Sequence, residues 1–253
     1  MNFWFPLLFI FARIVAFVFA LPFFAWRGIP VMLRVFIALT ISFLLVLNWE
    51  GGIILPGSDL EMILLLLREL AVGLALGFLV YLFLSVFLMS GQFMDLKAGL
   101  TMAGTFDPLF GGQVTILGQF FYLLAVVFYL TINGHHLLFF SLKESLEVIP
   151  PGVSLGFRPV LWEYVKIFCR MFLLAFQIAA PVIIIIWLAD IALGFLSKTV
   201  PQIHVFIVGL PLKIALVLVV FLLLLPMMGG VMIEVFDLLG QDFVRVIRGL
   251  SLG

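Results

Sequence analysis

The sequence predicts an all-α integral membrane protein with about six apolar, partly broken helices. Its 253 residues are 66% hydrophobic and only 10% charged, and 30 of them are Phe. The mean hydropathy of +1.38 is far above what a soluble domain needs. Lipid offers the backbone no hydrogen-bond partners, and the alternating pattern of a membrane barrel is absent, so the spans must be helices.

Charge and cysteine content narrow the function classes. Thirteen Lys and Arg residues balance thirteen Asp and Glu residues. The chain therefore has no basic excess of the kind that binds nucleic acid, and no nucleic-acid partner is predicted. The single cysteine, Cys169, cannot form an internal disulfide.

Six apolar runs are the candidate helices, because about 20 apolar residues cross a ~30 Å hydrocarbon core. At ~1.5 Å per residue, the third to fifth runs would exceed ~40 Å as continuous helices. They must therefore tilt, break or extend beyond the bilayer. The six runs are approximately 3–25, 31–49, 62–89, 114–142, 165–195 and 203–228.

Helix-breaking residues occur in or beside most of these runs. Pro22 and Pro30 flank the turn after the first run, and Asn133-Gly134 interrupts the fourth. Pro181 and the "GLP" of residues 209–211 are expected to interrupt the fifth and sixth, since proline in a helix interior costs about 3 kcal/mol.

The chain is expected to form a single domain over residues 1–253, because no internal repeat, low-complexity tract or linker divides it. Lys and Arg residues divide almost equally between the two sides of six alternating spans, so they assign no orientation. After Gly229-Gly230, polar residues recur at spacings of three and four. This predicts a C-terminal amphipathic helix at about 231–250, suited to a membrane surface or to a partner protein.

Charged residues inside apolar runs are costly and usually face a partner or a water-filled cavity. Asp190 and Lys213 lie at comparable depths on consecutive runs, so they are predicted to form a possible interhelical ion pair. That pair is either a static structural contact or part of a small-solute transport site. The other charged residues in or near apolar runs are Arg13, Arg68 and Glu69.

His135 and His136 follow Asn133-Gly134 and suggest a metal site at first sight. Adjacent helical residues point about 100° apart, so the two rings do not converge on one ion. A turn or a helix cap is the better interpretation, and neither a metal nor a cofactor is predicted.

Gly73 and Gly77 form a G-x-x-x-G spacing in an apolar run, which predicts close helix packing. Nucleophile elbows, phosphate-binding loops and carboxylate pairs at catalytic spacing are absent. An enzyme is therefore not predicted, and an intramembrane hydrolase lacks its motif.

Four stretches together resemble the FliR family of flagellar biosynthesis proteins and its virulence counterparts in type III secretion. They are residues 12–45, 68–100, 106–142 ("FDPLFGGQVTILGQFFYLLAVVFYLTINGHHLLFFSL") and 201–226. They run in family order and cover most of the chain. The "NGHH" and "GGQ" pieces are more similar to the flagellar branch.

The resemblance implies a non-enzymatic subunit of an export gate, the portal through which unfolded flagellar proteins leave the cytoplasm. Family members assemble with FliP and FliQ into a helical cone of bent hairpins and work beside FlhB and FlhA. The implied location is the bacterial inner membrane at the flagellar basal body, with part of the chain projecting toward the periplasm.

The resemblance also implies a plug, formed by the loop at about 104–118 that projects into the lumen. Phe106, Leu109 and Phe110 are the implied obstructing side chains. Hydrophobic constrictions gate by dewetting and steric closure, so such a plug needs no catalytic residue. The alternative function is a small-solute secondary transporter. The full set of plug residues is Phe106, Asp107, Pro108, Leu109, Phe110, Gly111, Gly112 and Gln113.

Overall fold

The computed structural model describes residues 4–24, 29–49, 51, 57–101, 115–153, 156–199 and 205–251, without the side chains of 157, 158 and 205–208. These residues confirm the predicted all-α membrane fold, and no strand occurs among them. The helices are α1 (Trp4–Ala20), α2 (Val31–Leu47), α3 (Asp59–Ala98), α4 (Ile116–Thr131), α5 (Gly134–Val148), α6 (Phe157–Thr199) and α7 (Val205–Ser251).

The helices that could cross a membrane are fewer than six in the described part of the chain. Three are long and apolar enough, namely Asp59–Ala98, Pro159–Thr199 and Gly209–Ser251. Helices α4 and α5 form a bent pair that would make a fourth span, and α1 and α2 are shorter apolar helices. Helix α3 has 40 residues and is therefore about 60 Å long, twice a hydrocarbon core.

The predicted break at Asn133-Gly134 is confirmed. Asn133 has a left-handed φ of 59°, and α4 and α5 meet there at 73°. Asparagine tolerates this conformation better than most residues with a side chain. Pro22 and Pro30 lie at helix ends, the first just after α1 and the second at the N-cap of α2.

The predicted interruptions at Pro181 and at residues 209–211 are wrong. Helix α6 continues through Pro181, and α7 continues through both Pro211 and Pro226. A proline removes a single i to i−4 hydrogen bond, and the turns on either side keep theirs. In helices of 43 and 47 residues, the remaining hydrogen bonds keep the helix continuous across that one gap.

The described chain divides into two compact units. Unit 1 comprises residues 1–83, 129–168 and 236–253, and unit 2 comprises residues 84–128 and 169–235. Helices α3, α4, α6 and α7 each contribute residues to both units. Neither unit is one continuous stretch of sequence, and the single domain expected over residues 1–253 stays a prediction.

A fully buried arginine, Arg13, joins three helices of unit 1. The Nε of Arg13 donates to Glu69 Oε2 at 2.7 Å. Its Nη1 donates to the Ser145 carbonyl at 2.8 Å and hydroxyl at 3.2 Å, and its Nη2 donates to the Ile149 carbonyl at 2.9 Å. Those carbonyls lie at the C-terminus of α5, so one side chain of α1 joins α3 to the end of α5.

Close helix contact brings Arg13 opposite Glu69. A Cβ on Gly73 would overlap the carbonyl oxygen of Arg13, and a Cβ on Gly77 would lie 2.9 Å from the carbonyl oxygen of Phe17. Glu69 precedes Gly73 by four residues and so shares its helix face. The two glycines therefore let the backbones of α1 and α3 approach closely enough for the ion pair to form.

The sequence predicts that the apolar side of the C-terminal part of α7 faces a membrane surface or a partner. In the structure this side packs inside unit 1 instead. Phe236 packs on Tyr129 at a ring-centroid distance of 4.7 Å, and the Leu250 carbonyl accepts from the Gly156 N–H at 3.1 Å. Unit 1 buries this side of α7 because its own core needs the apolar surface. The buried residues are Phe236, Leu239, Phe243, Val246, Ile247 and Leu250, and the exposed ones include Asp237, Gln241, Arg245 and Arg248.

Replacing Arg13 tests the role of this ion pair in stability. Arg13→Met leaves Glu69, which is 4% exposed, as an unpaired buried charge. We expect this to lower the free energy of unfolding by about 3–5 kcal/mol. The unfolding midpoint of the detergent-solubilised protein measures the effect.

The double variant Arg13→Met, Glu69→Met serves as the internal comparison, since it removes both charges and should recover much of the loss. Lys143→Met is the surface control. It breaks a pair with Glu147 whose side chains are 60% and 61% exposed, so its effect should stay within about 0.5 kcal/mol. Equal destabilisation by Arg13→Met and Lys143→Met would contradict the assignment.

Candidate functional site

The predicted plug lies outside the described residues, but both ends of its loop are described. Residues 102–114, which include all eight plug residues from Phe106 to Gln113, are not among the residues that the structure describes. The flanking segments, Gly99 to Thr101 and Thr115 to Gly118, both belong to unit 2. These flanking segments, together with the end of α3 and the start of α4 that hold them, form the frame that carries the loop.

The chain enters the loop through a tight helix end. Gly99 adopts a left-handed φ of 79°, which a glycine accepts without strain. Its N–H donates to the Leu96 carbonyl at 3.4 Å, and the Leu100 N–H donates to the Asp95 carbonyl at 3.0 Å. These two bonds form a Schellman motif, which ends α3 at a fixed position.

The chain leaves the loop into a helix that a distant carboxylate caps. The Asp95 side chain accepts from the N–H groups of Leu117 and Gly118, each at 3.2 Å. The first N–H groups of a helix have no partner within it, so Asp95 of α3 does for α4 what an N-cap side chain normally does. Asp95 is fully buried, and its negative charge also suits the positive end of the helix dipole.

Two glycines allow this cap to form. A Cβ on Gly91 would overlap the backbone of Gly118, and a Cβ on Gly118 would lie 2.9 Å from the Leu88 carbonyl oxygen. Gly91 and Asp95 are four residues apart and therefore on one face of α3. The glycine contact brings α3 and α4 together, and Asp95 reaches the start of α4.

Aromatic contacts hold the rest of unit 2 around this frame. Phe93 of α3 packs edge-on against Phe172 and Phe176 of α6, at ring-centroid distances of 5.8 Å and 6.1 Å. Phe121 of α4 packs on Phe221 of α7 at 4.8 Å. Edge-to-face and tilted pairs of this kind contribute beyond their buried area.

The structure brings Asp190 and Lys213 together. The Lys213 ammonium contacts the Asp190 carboxylate, joining α6 to α7 within unit 2. The pair is half-buried, with side chains 43% and 26% exposed. Lys97 of α3 lies nearby in the same cavity wall, with its Nζ 5.6 Å from the centroid of a Trp187 ring.

The remaining candidate residues fall in unit 1. Gly73 and Gly77 contact α1, as described above. His135 and His136 lie in the first turn of α5 with ring centroids 4.4 Å apart, and the His136 N–H donates to the Asn133 carbonyl at 2.9 Å. Within the described ranges, no group of three or more His, Cys, Asp or Glu residues could hold a metal ion.

Two functional contacts escaped sequence reasoning. Arg13 and Glu69 were both noted as costly charges, but the 56 residues between them hide their pairing. The sequence pattern does not mark Asp95 as a cap, although Gly91 and Asp95 share a face of α3. A small residue four positions from a lone carboxylate at a helix end was the available signal.

Comparison with known proteins assigns the chain to a family. The family profile described as "Bacterial export proteins, family 1" matches residues 4–239. The chain belongs to this family. It is 36% identical over 237 residues to the Flagellar biosynthetic protein FliR of Bacillus subtilis (strain 168), across 91% of this chain and 90% of that protein.

Two further relatives match over about three quarters of the chain or more. The Flagellar biosynthetic protein FliR of Aquifex aeolicus (strain VF5) is 28% identical over 245 residues, across 97% of this chain and 93% of that protein. The Secretion system apparatus protein SsaT of Salmonella typhimurium is 29% identical over 194 residues, across 76% of this chain and 74% of that protein. The resemblance to the export family is thus confirmed.

Replacing Asp95 tests the cap at the start of α4. Asp95→Leu leaves the Leu117 and Gly118 N–H groups buried without their acceptor, at a cost of roughly 1–3 kcal/mol for each buried group. We expect hydrogen exchange at these two amides to accelerate by at least about tenfold, which corresponds to ~1.4 kcal/mol of local opening. Hydrogen–deuterium exchange with peptide-level readout over residues 115–121 measures it.

Asp237→Leu is the matched control, since Asp237 is an exposed acidic residue on α7. It should leave exchange over residues 115–121 unchanged. If Asp95→Leu accelerates exchange evenly throughout the protein and not at the start of α4, Asp95 is a general packing residue and the cap assignment is wrong.

Proposed function

We propose that this chain is a non-enzymatic structural and gating subunit of the flagellar type III secretion export gate. In this proposal it assembles with FliP and FliQ into the channel that exports unfolded flagellar proteins, beside FlhB and FlhA. It resides in the bacterial inner membrane at the flagellar basal body, with part of the chain projecting toward the periplasm.

The observation that carries the proposal is the family match over residues 4–239, together with relatives named for flagellar biosynthesis over most of the chain. The fold agrees with a subunit of a larger assembly. Many large apolar side chains are exposed, including Phe36, Trp162 and Leu223 at 65%, 66% and 71%. Exposed apolar surface on this scale needs lipid or other protein chains to cover it.

The frame in unit 2 supports the gating role assigned to the loop. Gly99 ends α3 by a Schellman motif, and Asp95 fixes the first turn of α4, so both attachment points of residues 102–114 are set by the same short stretch of α3. A loop anchored in this way can carry Phe106, Leu109 and Phe110 as an apolar obstruction. An apolar constriction excludes water and ions without any chemistry.

A small-solute transporter is the second candidate, and the Asp190–Lys213 pair favours it. Charged pairs between long apolar helices occur at transport sites. However, Lys213 already neutralises Asp190, and among the described residues no three or more His, Cys, Asp or Glu side chains lie together in a group that could hold a metal ion. Proton relays generally use a longer series of such groups, so the export-gate function is the better supported of the two.

Removing the loop tests the gating role. In cells that express the full complex, deletion of residues 106–114 should make the membrane permeable to ions and small solutes, because the proposed obstruction is gone. The variant Phe106→Ala, Leu109→Ala, Phe110→Ala keeps the loop length and should leak in the same direction. Uptake of an otherwise excluded dye measures permeability.

Phe140→Ala controls for the loss of an exposed aromatic residue, since Phe140 lies on α5 and is 70% exposed. It should not change dye uptake. A complex that assembles with the deletion and still excludes the dye would contradict the plug, whereas transport of a labelled solute by the isolated chain would support the transporter.

A further inference from the structure

Unit 2 contains a cavity of about 370 Å³, and one of its walls includes Gly99 at the entry to the proposed gating loop. Its volume is in the ~300–1,000 Å³ range of small-ligand sites. The walls come from the end of α3, from α6 and from the beginning of α7. They are formed by Leu96, Lys97, Ala98, Gly99, Asp190, Leu193, Gly194, Gly209, Leu210 and Lys213.

The charges in this cavity sum to one positive charge. Asp190 pairs with Lys213, and Lys97 lies over the Trp187 ring. Among the described residues, no carboxylate forms a salt bridge with Lys97. Two ammonium groups and one carboxylate therefore leave a single uncompensated positive charge, which complements one phosphodiester.

The cavity has bare backbone where a ligand could lie. A Cβ on Gly194 would meet nothing within 4 Å, so the α6 wall is open at that position. A shallower pocket of about 200 Å³ continues from Gly194 to Lys198, between Ile191 and Phe195. A third lysine, Lys198, is therefore adjacent to the cavity that Lys97 and Lys213 line.

The surroundings of the cavity are those of a lipid-facing surface. Leu188, Ile191 and Phe195 of α6 are 61%, 58% and 68% exposed, and they lie on a helix long and apolar enough to cross a membrane. Lysines next to an exposed Trp are typical of the membrane interface. Basic pockets between apolar helices hold the head groups of anionic lipids.

We propose that this cavity binds the phosphodiester head group of an anionic phospholipid. Lys97 and Lys213 donate to the phosphate, Asp190 holds Lys213 in place, and the acyl chains lie along Leu188, Ile191 and Phe195. The inference is independent of the plug, because it depends only on the charges and walls of the cavity.

Native mass spectrometry of the delipidated full-length chain tests the proposal. Titration with phosphatidylglycerol should give one retained lipid per chain, and phosphatidylcholine should bind more weakly because it has no net charge. Lys97→Gln should weaken phosphatidylglycerol binding by about fivefold, the effect of one lysine near an anionic lipid. Gly194→Leu should abolish retention, because the new side chain projects into the open wall.

Two matched controls separate binding from folding. Gly230→Leu also adds a side chain where a Cβ meets nothing within 4 Å, but Gly230 is outside the cavity. Lys143→Gln removes an exposed lysine from unit 1. Both variants should retain phosphatidylglycerol as the unmodified chain does.

Three results would overturn the proposal. Equal binding of phosphatidylcholine and phosphatidylglycerol would show that the charge of the head group does not contribute to binding. If glycerol 3-phosphate or inorganic phosphate displaced phosphatidylglycerol as effectively as the lipid displaces itself, the cavity would be a site for free phosphate compounds. Cross-linking of Lys97 to a carboxylate of another subunit in the assembled complex, with no lipid retained there, would identify a protein interface.

Discussion

A guanidinium with no exposure to solvent must find a partner for its donors inside the protein, and Arg13 imposes this constraint on unit 1. Its partners come from α3 and from the C-terminus of α5. Glu69 neutralises its charge. The Ser145 and Ile149 carbonyls lie at a helix end, where carbonyls lack intrahelical partners, although the Ser145 carbonyl also accepts from the Ile149 N–H at 3.0 Å. The close contact at Gly73 is required because a wider separation of α1 and α3 would leave both charges buried and unpaired.

In unit 2 a buried anion plays the role at a helix N-terminus that Arg13 plays at a helix C-terminus in unit 1. Asp95, also fully buried, satisfies N–H groups at the N-terminus of α4. A cation thus meets the C-terminus of α5, and an anion meets the N-terminus of α4, as the helix dipole favours. The bent pair α4 and α5 is therefore fixed at its beginning and at its end by charged side chains from other helices. The loop proposed to gate export directly precedes this pair.

Hydrophobic content and one asparagine were sufficient to predict the helical membrane fold and the bend between α4 and α5. The predicted proline breaks were wrong because a proline removes only one backbone hydrogen bond, and α6 and α7 are long enough to keep the others. The apolar side of the α7 end was assigned to a membrane surface or partner because sequence cannot show that the chain itself covers it. The caps at Arg13 and Asp95 depend on contacts between residues 22 to 136 positions apart. The spacing of Gly91 and Asp95 is a local signal for a contact at this face of α3, but it does not identify the helix that Asp95 caps.

The central claim is that the loop carried by the Asp95 frame lies on the path of exported chains. Photo-cross-linking tests it most directly, with a photoreactive amino acid at position 109 in the assembled complex and an export substrate stalled by a folded fusion partner. The account predicts adducts between position 109 and the stalled substrate, and none from position 140 on α5. Adducts from position 140 without any from position 109, in a complex that still exports, would contradict it.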